Sequence, residues 1–259
     1  YDIAENKESR KRYRREAAEV MNKRAAEFKR SCRTRMTMEA VRRYKDNVFY
    51  IPWSFDYRGR AYPIPAFLTP QDTDFGKSLL QFADEAVDIS EKWLAFQVAT
   101  SYGLDKATMD ERLEWTRSNV SLVSAVATNP IAFLAEWEGA EEPWQFLAAC
   151  DEYYHCCIKL DRKTTSLPVA TDATCSGLQI LAGLARDKST ATLVNVVPSD
   201  KPQDAYAKVA ETALSLGIPT SVHPVWDRKC VKRTVMTIPY NAKPFSNRSY
   251  IKDALREKG

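Results

Sequence analysis

Three short stretches of the chain concentrate side chains able to handle phosphate and metal ions. Asp172 opens Asp172-Ala173-Thr174-Cys175-Ser176-Gly177 and follows the apolar run Leu167-Pro168-Val169-Ala170-Thr171. A carboxylate at the end of a buried strand has few neighbours to neutralise it. A hard cation such as Mg²⁺ would stabilise it through oxygen ligation, with the Ala173 carbonyl as a further ligand. The alternative is an aspartate that caps the following helix. In Arg228-x3-Lys232-x7-Tyr240 the two cations lie four residues apart. At helical spacing Met236 and Tyr240 stay within roughly a 120° arc of them. Guanidinium, ammonium and aromatic ring in that order suit a triphosphate followed by a sugar and base. The competing reading is a solvated basic helix with Tyr240 in the core. Arg233 is a further candidate for phosphate or nucleic acid, with solvent as its alternative. Asp56, Arg58 and Arg60 alternate, so on a strand they would share one face, with Gly59 admitting a close backbone. An R-G-R triplet is equally compatible with a surface turn.

The elements that must position these groups can be read from the pattern. Residues 1 to 45 lack Pro and Gly, are rich in Ala, Glu, Lys and Arg, and place Tyr13, Ala17, Val20, Met21, Ala25 and Phe28 at helical spacing. A helix or helical pair packed by that stripe is expected. From Phe49-Tyr50-Ile51-Pro52-Trp53 to Pro63-Ile64-Pro65 the composition predicts extended strands and turns. Residues 90 to 160 return to helical patterning, broken near Asn129-Pro130 and Glu142-Pro143. Leu167 to Thr171 is a buried-strand candidate, and the run after Gly177 has helical spacing, which puts Asp172 between strand and helix. Further helices are expected over Pro202 to Leu216, started by Asp200 or a neighbour, over about Val225 to Ile238, and over Arg248 to Lys258.

With 44% hydrophobic and 28% charged residues, 259 residues suffice for one large domain or two modest ones. There is no run of about 18 apolar residues, so no membrane-spanning helix is expected. The six cysteines form no C-x-x-C pair, and reduced thiols are expected. Cys150, His155, Cys156 and Cys157 do not complete a tetrahedral zinc site, because adjacent helical cysteines diverge. The net charge of +4 is uneven: residues 1 to 45 hold 15 Lys/Arg against 7 Asp/Glu, a local +8 that leaves −4 for the remainder. Such a basic block can attract a phosphate backbone, or it can be a solvated helix face.

The chain resembles the single-subunit, phage-type DNA-directed RNA polymerases that include the mitochondrial enzymes. The similarity runs in order through Asp56-Tyr57-Arg58-Gly59-Arg60-Ala61-Tyr62, Thr69-Pro70-Gln71 to Leu80, Asp172 to Gln179, Pro198-Ser199 with Gln203-Asp204-x-Tyr206, and Lys232-Arg233-x-Val235-Met236-Thr237-x-x-Tyr240. It implies a helix-rich, mixed α/β fold: a basic helical segment over 1–45, a right-hand palm with helical insertions over 46–190, and the first part of the fingers over 191–259. It implies Mg²⁺-dependent addition of NTPs to an RNA 3′ end on a DNA template. By resemblance, Asp172 and the Ala173 carbonyl bind two metals, and Lys232 and Arg228 hold the triphosphate. Tyr240 lies beside the sugar and base, Tyr206 lies near the nucleotide, and Arg58, Arg60 and Arg233 contact nucleic acid. Related DNA polymerases carry a Glu five residues after the metal Asp, where it crowds the sugar 2′ position. Gly177 stands there in this chain and favours ribonucleotides.

Three departures qualify the resemblance. Asn241 follows Tyr240 where the family usually has Gly, and Pro239 should end or kink the helix at Ile238. No His-Asp pair with a second metal carboxylate follows Tyr240. Either the chain is a fragment or a polypeptide partner carries the second Asp; the latter is expected, as in a divided bacteriophage polymerase located in the cytoplasm of an infected bacterium rather than in a mitochondrion. The alternatives are a non-catalytic nucleic-acid-binding scaffold, or a DNA polymerase of the polymerase I type.

Overall fold

A computed structural model describes residues 6–57 and 59–258, so the candidate Arg58 lies outside the described residues. The chain divides into two compact units, Tyr1–Asp105 with Arg112–Val169, and Lys106–Glu111 with Ala170–Gly259. The expected helix-rich character holds. The expected sheet content does not, because the only ladder among the described residues is a two-stranded hairpin.

In the first unit, helix α1 (Lys7–Tyr44) is one uninterrupted rod of 38 residues, roughly 57 Å long at 1.5 Å per residue. Asn6 caps it, its side chain accepting from the Glu8 and Ser9 amides. The expected packing by an apolar stripe is not found. Val20, Met21 and Phe28 are 51%, 64% and 71% exposed, and Thr37 is the one buried residue of the helix. Intrinsic propensity and surface pairs such as Arg12–Glu16 sustain this helix in place of burial. Toward its C-terminal part Arg33 docks on the buried Asp72, donating to its Oδ1 from Nη2 at 2.5 Å and from Nε at 3.1 Å.

Asp72 also accepts the amides of Leu68 and Thr73. Burial works against its ionisation, but Arg33 and these amides outweigh it and hold its pKa below the ordinary carboxylate value. Asp72→Ala would strip a guanidinium and two amides of their acceptor, and should cost about 2–4 kcal/mol. The loss should appear as a lower melting temperature. Because the folded-state pKa is depressed, the stabilisation is complete above the unfolded value near 4 and fades as pH falls through the folded value. Acid titration of the wild type should therefore narrow the gap to the variant.

Strands β1 (Trp53–Phe55) and β2 (Ala61–Pro63) pair antiparallel, Phe55 opposite Ala61. Asp56 and Arg60 are thus not successive residues of a strand face. They close the hairpin turn: the Asp56 amide donates to the Arg60 carbonyl, and the Arg60 amide donates to Asp56 Oδ1. Gly59 has φ +79° with nothing near a hypothetical Cβ, so backbone conformation rather than close approach explains it. The helical region that follows comprises α2 (Asp74–Ser78), α3 (Glu91–Tyr102), α4 (Met109–Ser118), α5 (Val120–Thr128), α6 (Leu134–Trp137) and α7 (Pro143–Tyr153). The expected breaks fall at the Asn129 C-cap and at Pro143, the first residue of α7. Leu94, Val98, Val123, Val126 and Phe146 form its core, each side chain stabilising by roughly 1.5–3 kcal/mol on burial. A π turn, Tyr154–Ile158, extends α7. Burial pushes the Cys156 thiol up to about 11 and Cys157 up to about 12.

The second unit contains α8 (Ser176–Ala185), α9 (Lys188–Leu193), α10 (Ala205–Ser215), α11 (Arg228–Thr237) and α12 (Pro244–Arg256). Aspartates start three of them: Asp187, Asp204 and Asp227 each accept two backbone amides at the N-cap of α9, α10 and α11. Helix α10 therefore begins at Asp204, not Asp200, and α11 begins after Asp227, preceded by a 3₁₀ turn, Thr220–Val225, around Pro224. Val231 and Val235, four residues apart, turn one face of α11 into a small core with Tyr206 and Ala210. The strand expected over Leu167 to Thr171 is not formed. The stretch is irregular, since no described strand lies beside it to satisfy its backbone groups.

Candidate functional site

The second unit brings together most of the residues that the motifs single out. Asp172 is exposed, and among the described residues its Oδ1 accepts only the amide of Ala173, at 2.7 Å. The N-cap of α8 is Cys175, in left-handed geometry (φ +58°) and without a side-chain capping bond. Helix capping therefore does not account for Asp172. Its second oxygen and the Ala173 carbonyl are hard oxygen donors of the kind Mg²⁺ takes. Among the described residues, no group of three His, Cys, Asp or Glu side chains gathers to hold a metal ion. The donor type fits the metal.

Helix α11 carries the cationic residues. Arg228 is its first residue and is half-buried, its Nε donating to Asp204 Oδ2 at 2.6 Å and its guanidinium lying 5.2 Å from the Tyr206 ring centroid. Lys232, one turn on, is exposed, as is Met236. Arg233 lies 4.2 Å over the ring of Tyr250 on α12. The helix stops where Pro239 requires. Ile238–Tyr240 is a 3₁₀ turn, and Asn241 takes the left-handed conformation (φ +65°) in place of glycine. Tyr240 accordingly sits beyond the helix rather than on its face, 59% exposed.

That turn folds back onto the start of α8. A Cβ built on Gly177 would stand 3.1 Å from Pro239 Cβ and 3.2 Å from the Tyr240 hydroxyl. The absence of a side chain at 177 is what lets the tyrosine lie against the loop that carries Asp172. Tyr206 ties the same parts together from below. It is buried on α10 and packed with Cys175, Leu178, Val231 and Val235. Burial, with the Cys175 thiol, raises its pKa well above the ordinary phenol value, so it stays neutral. Its ring has little surface left for a ligand and touches the candidate site through Arg228.

Sequence reasoning passed over two features. Asp204 stood inside a matched motif without a role, although its placement just before an Ala-rich helical run is an N-cap signal. The last 35 residues hold nine Lys/Arg against three Asp/Glu, a basic concentration that an average over everything after residue 45 conceals. Arg60 belongs to the other unit, where it is exposed on the hairpin turn.

Comparison with known proteins defines the class. The family model for DNA-dependent RNA polymerase matches residues 88–259, and the chain belongs to that family in its phage-type, single-subunit form. Among its relatives, the mitochondrial DNA-directed RNA polymerase of Neurospora crassa is 35% identical over 237 residues, covering 85% of this chain and 16% of the relative. DNA-directed RNA polymerase 1, mitochondrial, of Arabidopsis thaliana is 30% identical across 98% of this chain and 28% of its own length. The human mitochondrial enzyme is 33% identical across 82% of this chain and 18% of its own length. The chain thus spans between about a sixth and just over a quarter of the relatives it matches. These relatives are named as organellar enzymes, which overturns the expectation of a phage-infected bacterial cytoplasm.

Proposed function

We propose that this chain is the portion of an organellar DNA-directed RNA polymerase that receives the incoming ribonucleotide and supplies one of its metal-binding carboxylates. The observation that carries the reading is the contact of Pro239 and Tyr240 with Gly177. It joins the loop of the metal candidate Asp172 to the end of the helix bearing Lys232 and Arg228, within one compact unit. In this reading residues 46–190 belong to the palm and 191–259 to the fingers.

The residues divide the work by their chemistry. Lys232 and Arg228 neutralise and orient the triphosphate, which is most of what a protein contributes to phosphoryl transfer. Tyr240 borders the sugar, and Gly177 leaves the 2′ side open, favouring ribose over deoxyribose. Asp172 and the Ala173 carbonyl would hold Mg²⁺, which when bound neutralises charge developing on the phosphoryl group. The second carboxylate of a two-ion site comes from polymerase sequence outside these 259 residues, on the same or a separate polypeptide. Arg58, Arg60, Arg233 and the basic helix α1 contact the DNA template or the nascent RNA through phosphates.

The test is extension of an RNA primer annealed to a DNA template by the complete polymerase containing this chain, with Mg²⁺ and NTPs. RNA synthesis from NTPs in preference to dNTPs is expected, and no extension would reject the proposal. Lys232 is exposed, and its removal unpairs nothing among the described residues. Lys232→Ala should therefore fold normally, raise KM for NTP about tenfold and lower the rate. Unchanged nucleotide kinetics would remove Lys232 from the phosphate site.

A further inference from the structure

We propose that Asp204 is a positioning residue that presents the Arg228 guanidinium to the triphosphate of the incoming nucleotide. The inference rests on the reading of Arg228 as a phosphate ligand and adds a residue to it.

The two oxygens of Asp204 perform different tasks. Oδ1 accepts the amides of Tyr206 and Ala207, at 3.0 and 3.2 Å, and caps α10. Oδ2 accepts Nε of Arg228 at 2.6 Å. Asp204 is itself fixed from the preceding residue: the Gln203 amide donates to Asn195 Oδ1 at 2.7 Å, and Asn195 Nδ2 donates to the Gln203 carbonyl at 2.9 Å. Burial opposes ionisation of Asp204, but the amides and Arg228 outweigh it, so its pKa lies below the ordinary value and it is a carboxylate at neutral pH.

Arginine carries five N–H donors in a rigid plane. Asp204 uses only the Nε donor, and among the described residues no other acceptor engages the group. The Tyr206 ring limits its movement on one side. The terminal nitrogens therefore remain as a fork of fixed orientation, the arrangement that binds a pair of phosphate oxygens bidentately. A carboxylate here also subtracts attraction for an anion; the α10 cap alone does not require that charge, since asparagine caps equally well, so in this proposal orientation gains more than the lost charge. That trade gives the proposal a sign that a simple competing anion would reverse.

Asp204→Asn separates the two tasks, because an asparagine still caps α10 through Oδ1 but turns an amide toward Arg228. In steady-state primer extension by the complete polymerase, KM for NTP should rise about tenfold while kcat changes less than about twofold. The melting temperature should fall only slightly, since the α10 cap is kept and one partly exposed charge pair is lost, and Asp204→Asn should add nothing to the KM in an Arg228→Ala background. An unchanged or lowered KM, or the same increment with Arg228 absent, would overturn the proposal. Failure of the underlying reading would be visible separately, as an unchanged KM in both Lys232→Ala and Arg228→Ala, and would take this proposal with it.

Discussion

Asp172→Ala is expected to abolish RNA-primer extension, by at least about a thousandfold, while leaving fold and template binding intact. The size follows from what is removed. The side chain contributes no capping bond to α8 and, among the described residues, accepts a single amide, from its own neighbour. Its loss therefore leaves no buried group unpaired, and stability should change by less than about 0.5 kcal/mol. Duplex affinity comes chiefly from phosphate neutralisation by Lys and Arg, and removing one exposed negative charge does not weaken it. Under the proposed function, what the variant would lose is oxygen ligation of the metal at the reacting phosphoryl group. Extension should be measured beside salt-dependent template binding and thermal melting. A variant that binds, melts as the wild type and still extends would place the catalytic carboxylate elsewhere and leave this chain as a binding scaffold. Asp172→Asn should also fail, since a neutral amide keeps the shape but not the charge that attracts a divalent cation.

Local signals were well read from the sequence, and signals that depend on neighbours were not. The helical character of α1, the interruptions at Asn129 and Pro143, and the stop after α11 follow from propensity, from proline's missing donor and from Asn241 accepting a left-handed backbone, whereas composition does not decide between one rod and a helical pair. Each is decided within a few residues. The strand expected before Asp172 fails because a strand is a property of a pair, and its apolar composition cannot supply the partner. The stripe on α1 has the right period, yet Met21 and Phe28 stay exposed, because periodicity shows which face could be buried and not whether anything lies against it. The alternation of Asp56, Arg58 and Arg60 fits a strand face and a hairpin loop equally, and Gly59 with positive φ decides for the loop. At the candidate site the residue types were legible, while their grouping was not. Gly177 and Tyr240 are 63 positions apart, and nothing in either motif shows that one must be small so that the other can lie on it.

That contact leads to the second large effect. Gly177→Glu should lower kcat/KM for NTPs by about a hundredfold or more and shift relative preference toward dNTPs. Gly177 is in the first turn of α8, where replacing glycine helps helix formation by about 0.5–1 kcal/mol. Helix propensity thus cannot cause a loss, and the effect must come from collision. A Cβ alone lies 3.1 Å from Pro239 and 3.2 Å from the Tyr240 hydroxyl. Those neighbours would have to yield by tenths of an ångström for alanine, and by more for a longer side chain. Pro239 is stiff, so the displacement falls on Tyr240 and on the loop of Asp172, where a shift on the order of 1 Å suffices for a loss of this size. A glutamate would also bring a carboxylate to the 2′ side of the sugar, where a ribose hydroxyl needs room. Tyr240→Phe supplies the control, since it removes only the hydroxyl and should relax discrimination against dNTPs roughly tenfold while retaining most of the rate. Comparison of NTP and dNTP incorporation across Gly177→Ala, Gly177→Glu and Tyr240→Phe distinguishes the cases. Graded loss in the two Gly177 variants with relaxed selection in Tyr240→Phe assigns sugar recognition to this contact. Intact discrimination in all three would mean that the sugar is read by residues outside α8 and the Tyr240 turn.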